Sequence, residues 1–556
     1  MNNGVDQNFI NKLVNYLQTK QHKKLQLEVK LLGKIEDQHP NIIFYYAVSL
    51  SSYERVTKED LLYASELFEK VYLADRSNLL SLKNMVVLSF TIKNFSKVIN
   101  YVEEEVKKNN SNFQMIESLA MINHYMGNDD ISIKYFKHLY QNLPENMNGR
   151  IPFLNSLLYA SNIDQKEYFD QCTKYTKLLE SKLNIAKEHF KFNTKINKKP
   201  KVAFISGDFK KHSISRFFSH LLSNINKDFE ILLISNVNKK FNDETSEELK
   251  GLADGWFDVR NYTDDELTKF LRTLNLDILV DLSGYTLHNR HAVLARRCAK
   301  NQIAWLGFNN TRCLTNLDYL VADKNVIMQN EESLYKEKIL YLPKIWNALS
   351  VPENLPSITD EKIKNKLFTF GSFNNFKKIS NDTIKVWSKI LIGTNSQIIL
   401  KNSFPDTEEL KNNINKKFIE QGVNKKQLIF LDREQNEKDH YIHYNKINLA
   451  LDTFPFTGVT TSIESILMGV PVLTMNGFSF ISRCGASINK NIGMSDLIAS
   501  NYEEYISIAK KLSKDHELHE KNGYKLREKA IISPLCDTKT FGKDFKKLLN
   551  GILKYN

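Results

Sequence analysis

Between Val202 and Met475 the chain carries ten short apolar runs, and stretches with helical spacing lie between them. This alternation constrains the fold more than any other feature. The runs are 202–206, 231–235, 277–282, 303–307 and 318–323, then 367–373, 397–401, 428–432, 447–452 and 470–475. Strands that alternate with helices are joined by right-handed crossovers and build a parallel sheet covered on both faces. The stretch 347–366, "NALSVPENLPSITDEKIKNK", contains two prolines and divides the runs into two sets. Two doubly wound domains are therefore expected, at 200–350 and 366–556, with a ligand at the carboxyl ends of their strands.

The first 195 residues have a different texture, with helix-type spacing and almost no strand-like runs. Asn78, Asn112 and Asn146 recur at intervals of 34 residues, and Asn94 precedes Asn128 by the same 34. An earlier unit begins near Pro40-Asn41, with extra length around "SSYERVTKED". A 34-residue helix-turn-helix period resembles the tetratricopeptide repeat, with the usual Trp, Gly and Ala signature degenerate, so 1–195 is read as a helical repeat domain. An irregular helical bundle is the alternative. Stacked helix pairs leave a concave groove suited to a peptide, and such arrays also serve self-association, so a homo-oligomer stays open. The basic stretch 191–201, "KFNTKINKKPK", ends this texture.

Composition narrows the classes. Hydrophobic residues at 42% and charged residues at 25% describe a globular chain. No apolar run reaches the roughly 18 residues a membrane helix needs. The opening Met1–Gln7 lacks the basic-then-apolar layout of a secretory leader, so a cytoplasmic protein without a membrane span is expected. Cys172, Cys298, Cys313, Cys484 and Cys536 form no CxxC pair, which suggests neither a disulfide framework nor a zinc site. The net charge of +13 comes from lysines scattered along the chain, and nucleic acid is not the expected partner.

The most informative segment is "LALDTFPFTGVTTSIESILMGVPVLTM" at 449–475. A strand ending at Asp452 leads through Gly458 into a helix beginning near Thr460. Backbone N–H groups at that helix start, with the Thr460 and Thr461 hydroxyls, suit a diphosphate. Glu464, one turn on, can accept two hydrogen bonds from a ribose diol. The same four residues Thr461–Glu464 also spell a capping box, which needs no ligand. In "FGSFNNFKKIS" (370–380) the turn after a strand presents Asn375 and Lys378, and a lysine there can neutralise a departing phosphate. His440 follows the run 428–432, twelve residues ahead of Asp452. "FISGDFKKHSISRFF" (204–218) puts Gly207, Asp208 and His212 after the first strand, and an imidazole there can do acid–base or positioning work.

These pieces, with "DILVDLSGYT", "IAWLGF", "DYLVAD", "SRCGASI" and "SPLCDT", occur in one order over most of residues 200–545. The series resembles the protein O-GlcNAc transferase family, in the SPINDLY-like bacterial branch of glycosyltransferase family 41. The resemblance implies an α plus α/β chain: a helical repeat array followed by a GT-B pair of Rossmann-like domains. It implies an inverting, metal-independent transferase that moves a sugar, GlcNAc from UDP-GlcNAc first among candidates, to Ser or Thr of a protein held by the repeat groove. No cofactor is implied beyond the nucleotide sugar as co-substrate. By carry-over, Lys378 contacts the phosphates, Thr460 and Thr461 bind the diphosphate beside Gly458, and Glu464 takes the ribose. His440 contacts the nucleotide, Asn375 holds the place of a donor-contacting Gln, and His212 is the active-site histidine.

Three departures leave sugar and base open. The family's "GYPGT" loop reads Gly307-Phe308-Asn309-Asn310-Thr311, Glu437 stands where a base-contacting lysine is usual, and Val459 replaces a histidine. UDP-glucose and GDP-fucose therefore remain alternative donors, with Asn or Ser/Thr as acceptor. A glycan-assembling transferase and a non-catalytic repeat scaffold are the other readings.

Overall fold

The computed structural model describes residues 6–52, 56–187, 190–192, 199–359, 367–402, 408–434, 436–514 and 516–554. Parts of three segments singled out above, 53–55, 193–198 and 360–366, lie outside the described residues. The chain divides into two compact units, 1–144 with 405–413, and 145–404 with 414–556.

The first unit is helical. Its 34-residue punctuation has a local cause, because Asn78 and Asn112 are helix N-caps. Asn78 accepts from the Ser81 N–H ahead of helix Leu79–Ile92, and Asn112 accepts from the Met115 N–H ahead of helix Phe113–Tyr125. Asn128 caps helix Asp129–Asn142 by position, its side chain donating back to Asn123 Oδ1 rather than to the helix start. The helices bury Leu82, Met85, Ile116, Leu119 and Phe136 against their neighbours. At Asn146 the pattern slips: its side chain accepts from the Asn148 N–H, and the next helix begins only at Arg150. That helix and Gln165–Lys182 belong to the second unit. Gln165 pairs its amide with Asn310, and Tyr168 donates to the Thr311 carbonyl.

The second unit holds two parallel sheets. The first runs β3-β2-β1-β4-β5-β6-β7, from β1 (Lys201–Ser206), β2 (Glu230–Ser235), β3 (Gly255–Asp258), β4 (Leu276–Asp281), β5 (Ala299–Ala304), β6 (Tyr319–Ala322) and β7 (Lys338–Tyr341). The second runs β10-β9-β8-β11-β12-β13, from β8 (Phe368–Ser372), β9 (Ser396–Lys401), β10 (Leu428–Leu431), β11 (Leu449–Leu451), β12 (Val472–Met475) and β13 (Ile498–Ala499). Each sheet reverses direction at its centre, between β1 and β4 and between β8 and β11. Such reversals open a crevice beyond the strand ends.

Three strands, β3, β7 and β13, are absent from the ten apolar runs. They are two to four residues long, and β3 is only half-buried, so no continuous apolar signal marks them. The run 303–307 also shifts: β5 ends at Ala304, and its earlier half holds buried Asn301 and Gln302. These polar residues are satisfied locally, Asn301 by the Asp277 carbonyl and Gln302 by the Leu294 and Asn316 carbonyls. A hydrophobicity reading passes over such a strand.

The last helix, Thr538–Lys554, returns to the first sheet. Phe541, Phe545, Leu549 and Ile552 enter the same core as Phe218, Leu221 and Trp305, and the Phe545 and Trp305 rings lie 4.6 Å apart. The two sheets are joined by contacts between their own elements. Arg483 makes a bidentate ion pair with Glu331, and Ser487 donates to Asp323 at 2.8 Å.

Candidate active site

Both sheet reversals send loops into the same region. From β8, the chain turns through Phe373-Asn374-Asn375 into a short turn at Phe376–Lys378. The Lys378 ammonium donates to the Thr457 carbonyl at 2.9 Å and lies 4.7 Å from the centre of the Phe456 ring. Burial lowers its pKa to about 8, with nearby Asp452 working the other way. This is a lysine held close to a change of charge near neutral pH.

From β11, Asp452 organises the next loop. One carboxylate oxygen accepts from the Gly458 N–H at 2.7 Å, the Thr453 N–H at 3.0 Å and the Asn374 amide at 3.3 Å. The other accepts from the Thr474 hydroxyl at 2.8 Å. Burial raises its pKa to about 6 against those four bonds and Lys378. Gly458 is dictated by crowding: a Cβ there would lie 2.6 Å from Ser462 Oγ and 2.9 Å from Thr461 Oγ1. The helix Thr460–Leu467 follows, with Thr460 at its first position.

The capping-box alternative is not what forms. Val459 occupies the N-cap and makes no side-chain bond, and the Thr461 hydroxyl donates to Asn374 Oδ1 at 2.9 Å. Glu464 turns away from the helix start. Its Oε1 accepts from Arg216 Nη1, and its Oε2 faces His440 Nε2 at 3.2 Å and the Tyr444 hydroxyl at 3.4 Å. Burial pushes this carboxyl up, but Arg216 and His440 outweigh it and leave the pKa at about 2. His440 is held in turn by Lys401, whose ammonium lies 2.9 Å from Nδ1. An ammonium has only hydrogens to give, so Nδ1 is the acceptor and His440 keeps its proton on Nε2, toward Glu464.

Asn375 is engaged within its own turn. Its side chain caps the 376–378 turn by accepting from the Lys377 N–H at 3.0 Å. Asn374, which the sequence reading passed over, is buried between Asp452 and Thr461 instead. From the first sheet, His212 N-caps helix Ser213–Ile225, with Nδ1 accepting from the Ile214 N–H at 3.3 Å and Asp208 3.9 Å away. The neutral ring in this setting carries its proton on Nε2. Gly307, after β5, could hold no side chain, since a Cβ would lie 1.7 Å from the Leu282 carbonyl oxygen. Beyond it, the Asn309 amide reaches Cys484 in the second half at 3.5 Å.

The residues that sequence reasoning missed are Arg216, Asn374, Lys401, Tyr441, Tyr444 and Asp452 as an organiser. Arg216 carried a signal, standing in the same segment 204–218 that follows the first strand and bears His212.

Two Rossmann-like parallel sheets whose strand orders reverse at their centres, with a last helix that crosses back onto the first sheet, have the architecture of the GT-B class. Glycosyl transferase family 41 matches residues 148–366 and 348–545, and the chain belongs to that family. Among its relatives is the probable UDP-N-acetylglucosamine–peptide N-acetylglucosaminyltransferase SPINDLY of Solanum lycopersicum, 29% identical over 370 residues, which are 65% of this chain and 39% of that protein. The SPINDLY protein of Hordeum vulgare is 31% identical over 357 residues, 63% of this chain and 38% of its own length. The chain thus spans less than two fifths of the length of these plant relatives. A mutant of the Thermobaculum terrenum O-GlcNAc transferase shares the fold, with a TM-score of 0.78 and 22% identity over 93% of this chain and 99% of that one. Among the described residues, no helix is long and apolar enough to cross a membrane.

Proposed function

We propose that this chain transfers a sugar from a nucleotide diphosphate to a protein side chain, with UDP-GlcNAc as donor and a Ser or Thr hydroxyl as acceptor. One observation carries the reading: a half-buried lysine, a helix N-terminus and a buried carboxylate follow one another around the β8–β11 reversal. They are ordered as the phosphates and ribose of a donor would need. The relatives are named for GlcNAc transfer to peptide, which supports the choice of sugar and acceptor.

In this reading the diphosphate lies against the N–H groups at Thr460 and Thr461, with Lys378 beside the leaving oxygen. The acceptor hydroxyl attacks the anomeric carbon from the face opposite the diphosphate. A new C–O bond forms as the bond from the anomeric carbon to the diphosphate oxygen breaks, inverting that carbon, and the hydroxyl proton passes to an oxygen of the departing diphosphate. Negative charge builds on the departing diphosphate, where a fixed cation and oriented N–H groups stabilise the transition state more than the ground state. Those groups can hold a diphosphate without a metal ion. His212, protonated on Nε2, is a donor that positions the reactants, and the peptide groove of the repeats is assigned to the acceptor.

A second reading keeps the same machinery and changes the donor to GDP-fucose or UDP-glucose. Two departures from the family pattern favour it: Glu437 in place of a lysine, and Phe308-Asn309-Asn310 in place of the usual Tyr-Pro-Gly. Calorimetry with UDP and GDP, followed by intact-mass analysis of a co-expressed acceptor, separates the two. UDP binding that Glu464→Ala weakens about ten-fold, with an N-acetylhexosamine mass increment, is the expected result. A hexose or deoxyhexose increment moves the chain to the second reading, and loss of all nucleotide binding refutes both.

A further inference from the structure

Glu464 is engaged on both oxygens before any donor arrives. Only 4% of the residue is exposed. Oε2 is held from within the second Rossmann half by His440 and Tyr444, whereas Oε1 is held by Arg216 from the first half. A ribose diol brings two hydroxyl donors and needs acceptor positions on this carboxylate. One of the resident partners has to yield.

The geometry singles out Arg216. His440 is braced by Lys401, and the Tyr444 hydroxyl also donates to the Thr461 carbonyl at 3.2 Å, so both are locked into their own half. The Arg216 side chain keeps a quarter of its surface exposed and has further acceptors at hand. Its Nη2 donates to the Tyr441 hydroxyl and lies 3.5 Å from the Glu437 carboxylate. A guanidinium that leaves Glu464 therefore still has Glu437 as partner, and no buried charge is stranded. The ties Arg483–Glu331 and Ser487–Asp323 involve neither residue, so the two halves stay joined when this one contact is exchanged.

We infer that Arg216 competes with the donor ribose for Glu464, so that the nucleotide enters by moving the guanidinium to Glu437 and Arg216 sets how much the ribose contributes to affinity. The inference rests on the ribose reading of Glu464 given above. Arg216 is then a specificity-determining residue: part of every hydrogen bond gained by the diol is traded against an ion pair lost. Affinity shifts toward the diphosphate and base, and the enzyme discriminates weakly among nucleotides that differ only in the diol.

The test is calorimetry on the full chain with UDP and GDP, each beside its 2′,3′-dideoxy counterpart. The readout is the affinity ratio of ribo to dideoxy nucleotide, a quantity that a purely structural role for Arg216 would leave alone. We expect about ten in the wild type and about one hundred in Arg216→Met, because charge-assisted hydrogen bonds are no longer exchanged for an ion pair. A folded Arg216→Met with an unchanged or smaller ratio overturns the competition. Glu464→Ala should bring the ratio to about one. If it keeps the wild-type ratio, the ribose reading fails and the competition falls with it; if it collapses the ratio while Arg216→Met leaves it unmoved, only the competition falls. Should Arg216→Met fail to fold, Glu437→Gln provides the second test, since it removes the alternative partner of the guanidinium. The ratio then falls to about three, and an unchanged ratio in that variant overturns the proposal.

Discussion

The two Rossmann halves share a topology but equip their central reversals differently. Around β8 and β11 Asp452 is buried and takes four hydrogen bonds, and the half-buried Lys378 is fixed to the Thr457 carbonyl. At β4 Asp281 is equally buried, accepting from the Ser283 and Gly284 N–H groups beside Arg312, but the two side chains that follow β1 are more open. His212 keeps about a third of its side chain exposed and has one backbone bond, and Arg216 reaches out of its own half to be paired. On the proposed function, the second half would meet the charges of a donor with groups already fixed, while the first offers groups that can follow what is bound. Burial makes the difference, because a buried charge is tolerated only with its partners already in place.

The most severe way to break this contrast is Lys378→Met. On the proposed function it removes the cation beside the leaving phosphate and should lower kcat/KM about 10³-fold, the scale of losing one preorganised transition-state donor, while the thermal midpoint holds. Equal turnover in initial-rate assays would remove Lys378 from the chemistry. Asp452→Ala comes next. It leaves the Gly458 and Thr453 N–H groups without their acceptor, so a loss of about 3 kcal/mol in urea unfolding and about 10² in turnover are expected together. A variant that loses activity but not stability would show that the loop does not depend on this carboxylate.

His212 sharpens the comparison from the other side. His212→Ala should cost about ten-fold in kcat and about 1 kcal/mol of stability through the lost cap. His212→Asn restores the cap, so stability should recover while turnover does not. If turnover recovers too, the imidazole serves only the helix. The smallest effect is on pH dependence. Asp452, raised by burial, is ionised only above about 6, and Lys378, lowered by burial, loses its charge above about 8. If activity needs the carboxylate and the ammonium together, kcat/KM rises through the first value and falls through the second, as apparent constants of the coupled pair. In Lys378→Met the basic limb should vanish and the acid limb move upward, because the cation that favoured the ionised Asp452 is gone. A profile flat from 5 to 9 would contradict the assignment.

Much of this was legible in the residues. Two doubly wound parallel domains followed from ten apolar runs, without the order of the strands or β3, β7 and β13, and the loops bearing Lys378, Gly458, Thr460 and His212 lie where those runs end. The 34-residue recurrence of Asn78 and Asn112 followed from helix capping, a matter of three or four neighbouring residues. Local rules also misled. Thr461 to Glu464 satisfies a capping pattern, yet the threonine bonds Asn374 and the glutamate bonds Arg216, because distant groups offered stronger partners. Asn374 and Asn375 are adjacent and alike in sequence. One is buried against Asp452 and the other caps a turn, a distinction made by the direction each side chain takes from the turn after β8.

The sequence by itself determined the parallel α/β order, the helical array before it and the loops that reach the crevice. Each of these depends on periodicity, turn chemistry and capping over a few residues. Only the tertiary structure decided that Arg216 would meet Glu464 across 248 residues, that Lys401 would brace His440, and that the final helix would pack on the first sheet rather than the second. Those pairings bring together groups far apart in the chain. Their geometry depends on how two sheets and their covering helices pack, which no local pattern of residues encodes.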